Sequence, residues 1–268
     1  MISPIRRSMD SPESPDLLMS AYDFVKLAHA GVGAIALLSF WTAGLSRKGG
    51  KLHIASGRAY LILMALIAVS SLPLIVRRFA EDGFTVGLFF VHLLTLVSLA
   101  CYVGWRAIRD KRDWRRFSGM TYRTLGWTIL ATGTATAVLG LMRGNGIFVA
   151  FGVLGVILWR NMLKFTRNGP EAPNWWKVQH YRAMIGNGIA THIAFLLIGL
   201  PRLLPNINGA ALNYAGWLLP LAIGLGTQYV LDRRHTPRRP ADQAAQKEHL
   251  QNYPQTSPSD NQPSPLPR

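Results

Sequence analysis

The sequence predicts an all-α, polytopic membrane bundle of seven transmembrane helices, with the N-terminus outside and the C-terminus cytoplasmic. Three observations predict it. Only 16% of the 268 residues are charged while 49% are hydrophobic, against about a quarter charged in soluble domains. Seven apolar runs have the roughly 20 residues that a helix needs to cross a bilayer. The Lys and Arg residues between these runs alternate in number from one loop to the next, as cytoplasmic retention of positive charge requires.

The runs are Tyr22–Leu45, Ile54–Val76, Phe84–Trp105, Tyr122–Met142, Ile147–Phe165, Val178–Leu200 and Ala211–Leu231. Each contains glycine or alanine, which lets helices approach closely in lipid. The loops after the first, third and fifth runs, with the C-terminal tail, hold 22 of the 29 Lys and Arg; the opposite side holds 7. Trp41, Trp105, Trp159, Trp175 and Trp176 fall near the expected cytoplasmic ends, where an amphipathic ring suits the interface. This divides the chain into a polar N-terminal tail (1–20), a seven-helix domain (21–232) and a basic, Pro-rich tail (233–268) expected to be disordered. The tail's RRHTPRR stretch reads as a solvated flank. The N-terminus has no apolar core before Leu17, so the first run is expected to act as an uncleaved membrane signal. A multi-pass membrane location is the expectation, with the lipid bilayer as the first partner.

The net charge of +16 does not indicate nucleic acid, because the basic residues lie between apolar runs and form no aromatic-interleaved stripe. Cys101, the single cysteine, lies inside an apolar run and reads as a small buried hydrophobe. Of the 13 acidic residues only Asp23 and Asp232 lie at the ends of spans. The intramembrane carboxylates of cation-coupled carriers are therefore missing. No P-loop, GxSxG, HExxH or CxxC is present.

Histidine remains. At 1.5 Å per residue, His29, His92 and His192 fall roughly 10–12 Å below the outer surface, from three different helices. His53 and His180 stand at the cytoplasmic starts of the second and sixth runs and form an inner layer, about 18 Å away. Neutral imidazoles facing each other across a bundle suit haem iron, copper or zinc. Gly33 lies one turn from His29 and Gly188 one turn from His192; small neighbours make room for a flat macrocycle. On the sixth run, His180, Met184, Asn187, Gly188 and Thr191 form a stripe at helical spacing. Arg58, Arg160 and Arg182 lie near the inner layer, placed for haem propionates or a phosphate group. The competing reading of the histidines is helix–helix hydrogen bonding, and of the arginines snorkelling to the surface.

His29-x3-Gly33, Lys48-Gly49-x3-His53-x3-Gly57-Arg58-x-Tyr60, His180-x3-Met184 and Arg202 together resemble a bacterial family of multi-pass membrane proteins, a domain of unknown function. The resemblance runs from about Tyr22 to Pro205 and implies the fold, the membrane location and motif roles for His29, His53, Arg58 and His180. Ala183, Gly186 and Asn187 depart from the family's pattern, which has Trp before the methionine and Arg-Ser-Tyr after it.

The functional expectation is a membrane protein that binds haem b or a transition metal for electron transfer with a redox partner. The cofactor residues are His29, His92, His192, His53, His180 and Arg58, with His29, His92 and His192 as the metal set. The alternatives are a carrier or exporter of a small-molecule substrate, a zinc enzyme acting on lipid, and a structural or regulatory subunit without cofactor. His53 and His180 must approach each other for an inner site to exist.

Overall fold

The computed structural model describes residues 15–203 and 209–235. Most of both expected tails, and the side chain of Arg202, lie outside the described residues. The described chain is helical: α1 (Pro15–Leu45), α2 (Lys51–Glu81), α3 (Phe84–Arg109), a one-turn α4 (Trp114–Phe117), α5 (Met120–Met142), α6 (Gly146–Asn168), α7 (Trp175–Ala194), a π-helical segment (Phe195–Gly199), α8 (Leu200–Leu203) and α9 (Ala210–His235). Six helices among the described residues are long and apolar enough to cross a membrane. They correspond to the first six expected runs. The seventh run is also helical, within α9, but it is not among the six. Asn213, Gly216, Pro220, Gly224, Gly226, Thr227 and Gln228 dilute its apolar content.

Turn chemistry explains the boundaries. Gly49 takes φ 78° between α1 and α2, a left-handed conformation that side chains resist. Lys48 Nζ bonds the Ala43 and Gly44 carbonyls, which satisfies orphan acceptors at the end of α1. Asp113 caps α4 by accepting from Arg116 N–H, and Asn145 caps α6 by accepting from Ile147 and Phe148 N–H. Asp110, its side chain buried between α3 and α4, is ion-paired with Arg106 and with Arg116.

α3 is the central helix, packing on α2, α5 and α7; α5 packs on α6, α1 on α2 and α7 on α9. One core lies at the basic end, where Phe117, Tyr122, Phe165 and Trp175 pack ring against ring. A second, smaller core joins Ala36, Tyr60 and Met64 between α1 and α2. α5 and α6 touch through glycines. A Cβ on Gly152 would stand 2.5 Å from both Ala137 N and Gly133 O, so backbones meet directly, as small residues allow in lipid. α9 is clasped to α7 by Tyr181 Oη–H and Arg182 Nε–H, which both donate to Asp232 Oδ1 at 2.5 and 2.9 Å.

Candidate functional site

α7 begins further toward the basic end than α2. Tyr60 is nine residues into α2, yet its hydroxyl meets Thr191 Oγ1, sixteen residues into α7, at 2.9 Å. The offset of seven residues is about 10 Å along the axes. Equal heights for span ends, assumed when depth is read from sequence, therefore do not hold, and the outer histidine layer separates. Trp41 Nε1–H donates to His192 Nε2 at 2.9 Å, while His29 lies twelve residues back along α1, about 18 Å away in height. Asn187 meets Cys101, which puts His92, nine residues back along α3, about 6 Å in height beyond His192 on the side away from the basic end.

The ring nitrogens divide the five histidines. His92 is fully buried, with Nδ1 against Thr132 Oγ1 at 2.9 Å and Nε2 against Phe151 O at 3.0 Å. Its ring fills a slot floored by glycine: a Cβ on Gly155 would stand 2.6 Å from His92 Cε1. His192 donates from Nδ1 to Gly188 O at 2.6 Å and accepts from Trp41 at Nε2. Gly188 makes room for the Phe40 ring rather than for a macrocycle. Both nitrogens of His92 and of His192 are thus engaged, and a nitrogen already in a hydrogen bond has no lone pair to offer a metal. Among the described residues no group of three His, Cys, Asp or Glu side chains is arranged to hold a metal ion. The expected metal set of His29, His92 and His192 is not brought together. His29 stands apart, with Nδ1 bonded to Ser70 Oγ at 2.8 Å.

The basic end is different. His53 donates from Nδ1 to Ala43 O at 2.9 Å, and His180 donates from Nδ1 to Gly104 O at 2.8 Å. A carbonyl can only accept, so each ring carries its proton on Nδ1 and presents the Nε2 lone pair. Neither Nε2 has a partner among the described residues. His53 and Lys48 both lie within electrostatic reach of His180. Partial burial pulls the Lys48 ammonium below the usual lysine range, by removing water from its charged form.

His53, Gly57 and Tyr60 share the inward face of α2. A Cβ on Gly57 would meet nothing within 4 Å, so one turn beyond His53 there is open space. On the other side, Met184 packs its methyl onto Gly104. Deeper still, a polar ladder continues between α2, α3 and α7: Asn187 Nδ2 on Cys101 Sγ at 3.3 Å, then Thr191 Oγ1 on the Asn187 carbonyl and against Tyr60. Asn187 is fully buried and its Oδ1 has no partner. The stripe from His180 to Thr191 was visible at helical spacing. Its partners Tyr60 and Cys101 were not, because they come from other helices.

The expected arginines stay outside. Arg58 is exposed, with no hydrogen-bond or ion-pair partner among the described residues. Arg160 is exposed, and Arg182 is committed to Asp232. Compared with family models, with curated proteins and with solved structures, the chain finds no match in any of the three. The family resemblance therefore rests on its motif residues, of which His53 lies within electrostatic reach of His180 and Arg58 is exposed.

Proposed function

We propose that this chain is a bacterial cytoplasmic-membrane protein of seven spans, N-terminus outside, that holds haem b or a transition-metal ion between His53 and His180 and passes electrons to a redox partner. The observation that carries the proposal is the matched pair of Nδ1–H···O=C bonds, to Ala43 and to Gly104. Metal-ligating histidines almost always donate their second ring nitrogen in this way, which fixes the tautomer and raises ligand basicity. The donor set fits: two neutral imidazoles suit iron or copper, and Met184, one turn from His180, adds a soft sulfur beside them. Open space at Gly57 supplies room on the His53 side.

When bound, such a group would supply one-electron redox chemistry, with His53 and His180 as the residues that would hold it. The protein's own part would be to fix both imidazoles through their Nδ1–H bonds to Ala43 and Gly104, with Met184 packed on Gly104. The seventh span and the orientation are supported by the 22 of 29 Lys and Arg on one side, and by the Asp232 clasp that ties α9 to α7. For His92 and His192 the engaged nitrogens favour a structural part, as hydrogen bonds between helices.

The test is absorbance of the detergent-solubilised chain expressed with excess haem, together with metal analysis. A b-type Soret and reduced α band, or one stoichiometric copper or iron, is expected. It should be lost in His53→Ala and in His180→Ala and kept in His29→Ala. A folded wild-type sample with neither chromophore nor metal overturns the proposal.

A further inference from the structure

A second feature lies between α5 and α6, apart from His53 and His180. A cleft of about 300 Å³ opens between α5 and α6 at the basic end. Arg123, one turn into α5, and Arg167, in the last turn of α6, stand on its rim. Trp127 and Trp159 lie deeper, with ring centroids 5.4 Å apart, and Met162 and Leu163 complete the wall. Gly126 keeps the cleft open: a Cβ there would stand 3.3 Å from Met162 Cε.

From this layering we infer that the α5–α6 cleft binds the headgroup of an anionic phospholipid, with an acyl chain lying along Trp127 and Trp159. The charge at the rim is unanswered. Arg123 gives only Nε–H, to the Ser118 carbonyl at 3.3 Å, and Arg167 has no hydrogen-bond or ion-pair partner among the described residues. No carboxylate lines the cleft. Two guanidinium forks free of carboxylate match the oxygens of a phosphodiester, which accept hydrogen bonds in pairs. The apolar depth selects the source of that phosphate. A free anion gains nothing from two tryptophans and a leucine, whereas a lipid places its headgroup at the arginines and its glycerol and chain on the rings below. The position also fits, since both arginines sit at the end of the bundle that carries the other basic loops and faces an interface.

The test uses the full chain in nonionic detergent, titrated with phosphatidylglycerol or phosphatidylcholine and followed by native mass spectrometry and by thermal stabilisation. A preference for phosphatidylglycerol of about tenfold or more is expected, on the basis of two interfacial arginines. It should fall to under about twofold in Arg123→Gln/Arg167→Gln. Arg47→Gln/Arg109→Gln, which removes two exposed arginines from the same end, should keep it. If the cleft double variant does not fold, Thr166→Trp fills the cleft with both arginines in place and should weaken binding to the same extent. Retention of the preference in the cleft variants overturns the inference. So does equal loss in the Arg47/Arg109 control, which would mean general surface charge, or displacement of the lipid by millimolar inorganic phosphate, which would mean a free-anion site.

Discussion

Gly152→Ala is the sharpest test of the bundle, because the obstacle it meets is backbone. The added Cβ would lie 2.5 Å from Ala137 N and Gly133 O and 2.7 Å from Ala137 Cβ, while ordinary contact begins at 3.4 Å. A flexible side chain would swing aside; a helix backbone cannot. α5 and α6 must therefore part by about 0.9 Å at this level, the difference between those two distances. Overpacking of this kind costs about 1–3 kcal/mol, which for a chain of this size is a fall in melting temperature of roughly 3–10 °C. The parting also loosens the slot for His92, whose bonds to Thr132 and Phe151 span the same two helices.

The assay is thermal unfolding of the purified chain in one detergent, with Gly57→Ala as the matched control, since no atom lies within 4 Å of a Cβ at Gly57. The control is expected to melt within about 2 °C of wild type, since a helix gains slightly when glycine becomes alanine. If Gly152→Ala also melts within that margin, the direct backbone contact of α5 with α6 is wrong, and so is the nesting of His92 built on it.

Three further outcomes follow from the same geometry. Gly155→Ala should destabilise wild type by pressing on His92 Cε1 at 2.6 Å, but cost at least about 1 kcal/mol less in a His92→Ala background; strict additivity in the double-mutant cycle would refute the contact. Asp232→Ala removes the shared acceptor of Tyr181 and Arg182, so α9 should exchange its amide hydrogens several-fold faster while α5 and α6 do not change; uniform exchange rates would refute the clasp. The Lys164 ammonium holds the Glu171 carboxyl below its ordinary range, so the pair stabilises above the ordinary glutamate pKa and ceases to as pH falls through the lowered value. Both groups are largely exposed, at 64% and 73%, so Lys164→Ala should cost only a few tenths of a kcal/mol at pH 7. The difference from wild type should vanish by about pH 3, and a difference that persists there contradicts the pairing.

Hydropathy placed six helices correctly because a bilayer demands long apolar runs, and length survives in sequence whatever the helices later touch. Height does not survive. His192 was placed level with His29 by counting from span ends, but α7 starts about 10 Å beyond α2 on the basic side, and Trp41 reaches His192 from one turn inside the end of α1. The face of a helix was legible where one stripe held it, as at His53, Gly57 and Tyr60. It was illegible for His92, whose partners Thr132 and Phe151 lie on two other helices. Tyr60 with Thr191, and Cys101 with Asn187, were hidden for the same reason.

What distinguishes the two ends of α3 is the state of the imidazole nitrogens near them. Around His92 every ring nitrogen has a protein partner, glycines close the slot, and the helices come as near as backbones allow. Around Gly104 the carbonyl takes the His180 proton, and the Nε2 atoms of His180 and His53 are left without a partner among the described residues, on half-buried rings. Asn187 Oδ1, on the same helix as His180, is buried and unpartnered, and a buried acceptor without a partner costs about 1–3 kcal/mol. On the proposed reading, stability and chemistry fall to opposite ends of one helix. Substitution at His92 should move the melting temperature and leave any bound group in place; substitution at His180 should do the reverse.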